Sequence, residues 1–193
     1  MKVRVIASLV TALCLAFTGS AFASSIGIFF AADGSDCDAT QPGVGPFTYY
    51  LGAVMLGDAA AGGITGAEFR VDNAPGTADG WFMSANSEAP MTSVGNPILG
   101  GGNIAFPTCQ PGPYRLLYTV TGFASVVLPA RTLSVNRHTV PSNPNFPCPL
   151  LVLCDAPVFT TICVNAGQAF LNGGVCTVGV EETSWSSVKN LFN

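Results

Sequence analysis

The sequence predicts an all-β protein, an antiparallel β-sandwich stapled by disulfide bonds. Short apolar or alternating segments recur along the chain, and no helical pattern separates them. The 22 Gly and 14 Pro support this interpretation, because both residue types belong in turns rather than inside helices. Many short strands divided by turn signals are typical of sandwiches and barrels.

Each predicted strand is bounded by turn residues. The first covers 26–32, and the second is the aromatic run 47–56, which ends in GDAAAGG, a turn with room for one helical turn. Further strands are predicted at 65–72, 81–84, 103–106, 114–123, 132–136, 158–164 and 168–171. Connections such as GNPILGGGN and VPSNPNFPCP combine Gly, Pro and Asn, which favour turns.

Three charged side chains stand at every second position of GITGAEFRVDN, and apolar side chains such as Phe69 and Val71 alternate with them. The charged residues are Glu68, Arg70 and Asp72. A period of two is the pattern of a half-buried antiparallel strand. We therefore expect Phe69 to face the core and the three charges to face water or a neighbouring strand.

The first 23 residues have the three parts of a secretory signal peptide. Lys2 and Arg4 form the basic start, 5–18 is apolar, and Ala21-Phe22-Ala23 is a small-x-small cleavage signature. We predict a signal peptide at 1–23, a sandwich domain at 24–178 and a tail at 179–193. The protein is expected to be secreted, whether extracellular, at the cell surface or periplasmic, and no later segment has the length of a transmembrane helix.

Charge is scarce, at 9% of residues, and acids outnumber cations by 11 to 7. The two cations nearest the start belong to the predicted signal peptide, so the remainder is more acidic still. A chain without a basic cluster lacks the electrostatic footprint of a nucleic-acid-binding protein. Nucleic acid is therefore excluded as a partner.

Six of the seven cysteines lie beyond the predicted signal peptide. They are Cys37, Cys109, Cys148, Cys154, Cys163 and Cys176. An even number in an exported chain predicts three disulfides, and spacing leaves the pairing open. Proximity along the chain suggests Cys148–Cys154 and Cys163–Cys176, which would leave Cys37–Cys109. A zinc site is disfavoured because no two cysteines have metal-ligand spacing and His138 is the single histidine.

The loop GSDCDAT carries Asp33, Asp36 and Asp38, which are candidate calcium ligands because calcium prefers oxygen donors. Their spacing does not follow the EF-hand pattern, and the alternative is a solvated loop tied down by a disulfide. Apart from this calcium candidate, no cofactor and no other metal site is predicted.

No catalytic constellation is visible, and no catalytic residue is assigned. The chain has no GxSxG motif, and His138 has no second histidine with which to share a metal. The enzymatic alternative is a small extracellular hydrolase that uses carboxylates such as Asp33, Asp36, Glu68 or Asp155.

Two features suggest binding. Trp81, Tyr49 and Tyr50 are candidates for a sugar-stacking platform, although aromatic side chains in strands also build cores. The loop HTVPSNPNFPCPL is stiffened by four prolines and predicted to be pinned at Cys148, so it forms a rigid recognition surface.

The chain ends in VEETSWSSVKNLFN, a short amphipathic helix candidate in which Trp185, Val188 and Phe192 share one face. So short a helix must dock on something to be stable, or act as a tag for sorting or attachment. Trp185 is therefore a candidate binding residue.

At ITGAEFRVDN the chain resembles a strand of cohesin-like and other immunoglobulin-like bacterial sandwiches. From GIFFAADGSDCD through CDAPVF it is similar to uncharacterised secreted proteins of uncultured bacteria, which often end in a tail like VEETSWSSVKNLF. The resemblance implies a cohesin-like or immunoglobulin-like sandwich and an extracytoplasmic location. It implies no specific activity.

Together these observations predict a secreted, non-catalytic protein that works by binding or surface display. The partner is a protein or a glycan, and a glycan-binding module and a carboxylate-dependent hydrolase are the alternatives.

Overall fold

The computed structural model describes residues 24–41, 43–88, 90–174 and 176. Within these residues it contains thirteen strands and one short α-helix, α1 (Asp58–Gly62). In chain order the strands are β1 (Ser25–Phe29), β2 (Asp38–Ala39), β3 (Gly45–Val54), β4 (Ile64–Asp72), β5 (Trp81–Ser87), β6 (Thr92–Asn96), β7 (Gly101–Gln110), β8 (Tyr114–Ala124), β9 (Arg131–Asn136), β10 (Leu150–Leu153), β11 (Thr161–Cys163), β12 (Asn165–Ala166) and β13 (Gln168–Leu171).

The strands form two sheets. The first has five strands in the order β12-β1-β3-β8-β5. The second follows the path β11-β10-β4-β9-β13-β2, with β7 on the other side of β4 and β6 beside β7. Neighbours are antiparallel except in the pairs β1–β12 and β2–β13. The predicted all-β antiparallel fold is confirmed, and α1 occupies the predicted GDAAAGG turn.

One apolar core lies between the sheets. Its largest fully buried side chains are Trp81, Tyr49, Tyr118 and Phe69. Phe69 of β4 meets Tyr118 of β8 edge to face, with ring centroids 6.0 Å apart, and so joins the two layers. Ser93 of β6 and the Tyr118 hydroxyl form a second link, a hydrogen bond of 2.6 Å.

Strand β4 changes its partner along its length. Its first part pairs with β10, with Glu68 beside Leu150, and its last three residues pair with β9, with Arg70 beside Asn136. Strands β9 and β10 follow one another along the same side of β4, since β7 and the Pro97 carbonyl occupy the other side. The intervening residues 137–149 therefore form a loop that leaves the sheet opposite Arg70 and returns to it opposite Glu68, two residues closer to the start of β4.

The six predicted disulfide cysteines are all paired, but the suggested pairing is wrong. The bridges are Cys37–Cys176, Cys109–Cys154 and Cys148–Cys163, with Cα–Cα distances of 5.5, 5.8 and 5.6 Å. Strand β10 lies between Cys148 and Cys154, and a strand advances about 3.3 Å per residue. These two cysteines are consequently held much further apart than a disulfide can span.

The predicted signal peptide and the tail at 179–193 lie outside the described residues, so these domain boundaries stay predictions. None of the helical segments in the described part of the chain has the length and apolar character that a membrane span requires.

Candidate binding surface

Two of the aromatic residues proposed as a sugar-stacking platform lie in the core. Trp81 and Tyr49 are both fully buried, and the Trp81 ring packs against Phe47 at a centroid distance of 5.0 Å. Burial raises the pKa of Tyr49 well above its ordinary value. Tyr50 is half-buried, and Trp185 lies outside the described residues. The predicted platform is therefore wrong for Trp81 and Tyr49, because their strand positions face inward.

The same strands place a different aromatic pair on the surface. Phe82 of β5 is directly opposite Phe123 of β8, which is directly opposite Pro46 of β3. Phe82 is 60% exposed and Phe123 is 51% exposed, and Pro46 is exposed as well. Directly opposed residues in an antiparallel sheet share one face. The three side chains thus form a row across the outer face of the five-stranded sheet.

The alternation of side chains explains this arrangement. In β5, Phe82 stands at an even-numbered position, as do the exposed residues Ser84 and Asn86, whereas Trp81 stands at an odd-numbered one. Residues of the same parity in a strand share one face of the sheet, so Phe82 faces outward and Trp81 faces the core. This signal is present in the sequence, since two polar residues mark the outward positions of the strand. The prediction of a platform used the aromatic character of the segment and not its parity.

Exposed valines extend the row at the same end of the sheet. Val44 precedes β3, and Val126 and Val127 follow β8, with exposures of 65%, 45% and 56%. We call these three valines with Pro46, Phe82 and Phe123 the apolar patch. A group of exposed apolar side chains marks an interaction site more often than isolated exposed residues do.

A buried glutamine holds the loops that carry these valines. The Gln41 side chain, 5% exposed, donates through Nε2 to the carbonyl oxygens of Gly43 (2.9 Å) and Val126 (3.0 Å). Its Oε1 accepts from the Leu128 amide at 3.1 Å and from Asn172 Nδ2 at 3.4 Å. Trp81 Nε1 donates to the same Val126 carbonyl at 3.1 Å. The loops are therefore fixed before any partner arrives, which reduces the entropy lost on binding.

Neutral polar side chains cover the outer face beyond the apolar patch. Thr48, Ser84, Asn86 and Thr121 are exposed there. The Thr119 hydroxyl donates to Glu88 Oε1 at 2.6 Å, so this carboxylate is engaged at the far end of the face. The face offers hydrophobic contact and neutral hydrogen bonds to a partner.

The three charged residues of β4 have different environments. Arg70 Nε lies 2.6 Å from Asp72 Oδ1, and both side chains are partly exposed, as predicted for a solvated face. Glu68 is 7% exposed, which contradicts that prediction. The loop 137–149 covers it, and the Ser142 amide donates to both of its carboxylate oxygens at 3.1 Å.

The proline-containing loop is tied to the sandwich at several points. Its residue Thr139 donates through its amide and its hydroxyl to the Gly100 carbonyl, at 3.1 and 2.6 Å. The Cys148–Cys163 bridge fixes its end, as the predicted pinning of Cys148 required. Val140 at its surface is 78% exposed. The role of this loop in recognition stays a prediction.

The carboxylates that the hydrolase alternative needs are each hydrogen-bonded to their own local partners and do not form a catalytic pair. Asp33 accepts from the Ser35 hydroxyl (2.6 Å) and amide (3.0 Å), which lowers its pKa, and the Thr160 hydroxyl and amide do the same for Asp155. Asp155 lies two residues past the end of β10 and five residues beyond Leu150, the strand partner of Glu68, which corresponds to about 16 Å of extended chain. Paired glycosidase carboxylates are roughly 5–10 Å apart.

The calcium candidates do not meet in one cluster. Asp36 Oδ1 accepts from the amide of Asp38 at 3.3 Å, while Asp33 is held by Ser35. No group of three His, Cys, Asp or Glu side chains among the described residues could hold a metal ion. Calcium binding therefore stays a prediction, since the described residues contain no preassembled set of ligands.

His138 accepts a hydrogen bond from the Val140 amide at 3.0 Å and lies against Gly101.

Comparison with known proteins gives structural similarity alone. No protein-family model matches the chain, and no curated protein matches it. The sixth cohesin of scaffoldin B from Acetivibrio cellulolyticus, solved in complex with a mutant Cel5 dockerin, is 11% identical, with a TM-score of 0.43, over 79% of this chain and 98% of the cohesin. The seventh ScaB type I cohesin from Pseudobacteroides cellulosolvens is 10% identical, with a TM-score of 0.47, over 80% and 95%. Because identity and TM-score are both low, the function of this chain has to be inferred from its own residues.

Proposed function

We propose that this protein is a secreted, non-catalytic binding module that docks a partner protein on the apolar patch. The observation that carries the proposal is the exposed row Pro46–Phe123–Phe82, which strand register places on one face. The three disulfides support export, because such bonds persist in oxidising compartments.

The composition of the patch favours a protein over a glycan. Sugars stack on exposed aromatic rings, whereas half of this patch consists of aliphatic valines, which protein partners cover readily. The loops that bear Val44 and Val126 are held by Gln41 and so present their side chains in fixed positions. A rigid apolar centre with a neutral polar surround is the usual composition of a protein interface.

The test replaces both rings. Each ring is about half exposed, so a partner would bury roughly half of it, and full burial of a phenylalanine is worth roughly 1.5–3 kcal/mol. Phe82→Ser with Phe123→Ser therefore removes roughly 1.5–3 kcal/mol in total, and we expect affinity for the partner to fall by roughly 10- to 150-fold. Tagged wild-type and variant proteins would be cross-linked to extracellular and cell-surface fractions of the producing cells, and the captured proteins quantified by mass spectrometry.

Leu99→Ser is the matched control, because Leu99 is 81% exposed in the turn between β6 and β7, in the other sheet. The control should capture the same partner as the wild type. Equal capture by the double variant would refute the proposal. Capture of insoluble polysaccharide by the wild type, lost in the double variant, would instead support the glycan-binding alternative.

A further inference from the structure

A cleft of about 230 Å³ opens on the second sheet, beside β7, β4 and β10. Glu68, Asn103 and Ser142 line it on the polar side, and Val152 and Thr161 are among the other lining residues. The cleft and the apolar patch belong to opposite sheets, so a ligand in the cleft and a partner on the patch would not overlap.

Glu68 presents a carboxylate with unused hydrogen-bonding capacity. It is 7% exposed and accepts the Ser142 amide as its one donor among the described residues, although an ionised carboxylate has about four acceptor positions. The ion pairs of the described residues, Arg70–Asp72 and Arg131–Asp79, do not include it. Buried charges are normally paired, so a buried carboxylate without a cation requires an explanation.

Asn103 adds an acceptor that has no donor among the described residues. It stands directly opposite Glu68 in the β4–β7 pair, so their Cβ atoms are about 5 Å apart on one face. Asn103 Oδ1 is buried and receives no hydrogen bond from the described residues. Unsatisfied buried oxygens are uncommon in folded proteins, and one of them beside a carboxylate with spare acceptor capacity calls for a ligand with several donors.

We propose that this cleft binds a single protonated primary amine, either a free alkylammonium ion or the side chain of a lysine. An ammonium group supplies three N–H donors and one positive charge, which match the Glu68 carboxylate and the Asn103 oxygen. The cleft is smaller than the roughly 300–1,000 Å³ of a drug-sized ligand site, so it suits one head group. Calcium would require six to eight oxygen ligands, and the lining residues contain one carboxylate.

The test is a titration of the uniformly ¹⁵N-labelled protein with n-butylammonium, followed by NMR. We expect saturable shifts of the Ser142 and Asn103 amides, and none with 1-pentanol, which has a similar shape and no charge. Glu68→Gln keeps an acceptor for the Ser142 amide and removes the charge. It should weaken amine binding at least about tenfold, as expected for the loss of a hydrogen bond to a charged group.

Asp72→Asn is the matched control, because Asp72 is a carboxylate of the same strand and parity outside the cleft. It should bind the amine as the wild type does. Three results would overturn the proposal: equal shifts with 1-pentanol, no saturation in the wild type, or unchanged affinity in Glu68→Gln. The comparison with 1-pentanol uses the wild type, so it stays valid even if the Glu68→Gln variant does not fold. Titration with the amide of Nα-acetyl-lysine separates the sources: binding there indicates a lysine side chain, and binding of butylammonium alone indicates a free amine.

Discussion

Replacing Gln41 by Met should destabilise the protein by about 3 kcal/mol. Methionine has a similar size and no hydrogen-bonding amide, so four hydrogen bonds are lost. Two partners keep another contact: the Val126 carbonyl still accepts from Trp81, and Asn172 Nδ2 still donates to the Leu128 carbonyl at 2.9 Å. The Leu128 amide is left unsatisfied and buried, which costs about 1–3 kcal/mol, and the weaker losses add the remainder.

Thermal unfolding by calorimetry measures this effect. For a chain of this size, 1 kcal/mol corresponds to about 2–4 °C, so Tm should fall by about 6–12 °C. Gln110→Met is the control, because the Gln110 side chain donates to Thr108 alone, two residues away and exposed. A Gln41→Met melt within about 2 °C of the control would refute the argument that Gln41 holds this end of the sandwich together.

Two further predictions concern the disulfides and pH. Removing the Cys37–Cys176 bridge by paired Ser substitutions should lower the free energy of unfolding by about 5 kcal/mol in the chain-entropy view, because the bridge closes a loop with a sequence separation of 139. Removing Cys148–Cys163 should lower it by about 3 kcal/mol, because that loop has a sequence separation of 15. Denaturant unfolding that gave the reverse order would contradict this prediction. The two hydrogen bonds that Arg131 donates to Asp79 lower the pKa of this carboxyl to about 2, below its unfolded value near 4. The ionised Asp79 carboxylate therefore contributes fully to stability above about pH 4, and this contribution is lost as pH falls towards 2. The difference in unfolding free energy between wild type and Asp79→Asn should shrink over that interval. A difference that stays constant would refute the prediction.

Strand positions are predictable from the sequence where side chains alternate or turns bound an aromatic run. The predicted 168–171 agrees with β13, and 65–72 agrees with β4 except at its first residue. Strand β6, TSVGN, carries no apolar alternation, and β10 is visible only as a short apolar run before Cys154. Both strands are defined by their neighbours, since β6 pairs with β7 and β10 pairs with β4.

The burial of Glu68 could not be predicted from local pattern. Its parity correctly placed it on the outer face, but the loop that covers it is 74 residues away at Ser142. Cysteine pairing failed for the same reason, since contacts across the sandwich are independent of separation along the chain. Phe82, in contrast, was within reach of the sequence, because Ser84 and Asn86 share its parity.

The course of β9 and β10 has a consequence for how this protein can change. Because the two strands bracket residues 137–149 on positions of β4 that are only two residues apart, the ends of that loop are held close together whatever lies between them. Doubling the length of a flexible loop adds only about 0.6 kcal/mol of closure entropy. The segment is therefore a natural insertion point, at which evolution or a designer can exchange the loop sequence while the register of the sheet stays the same.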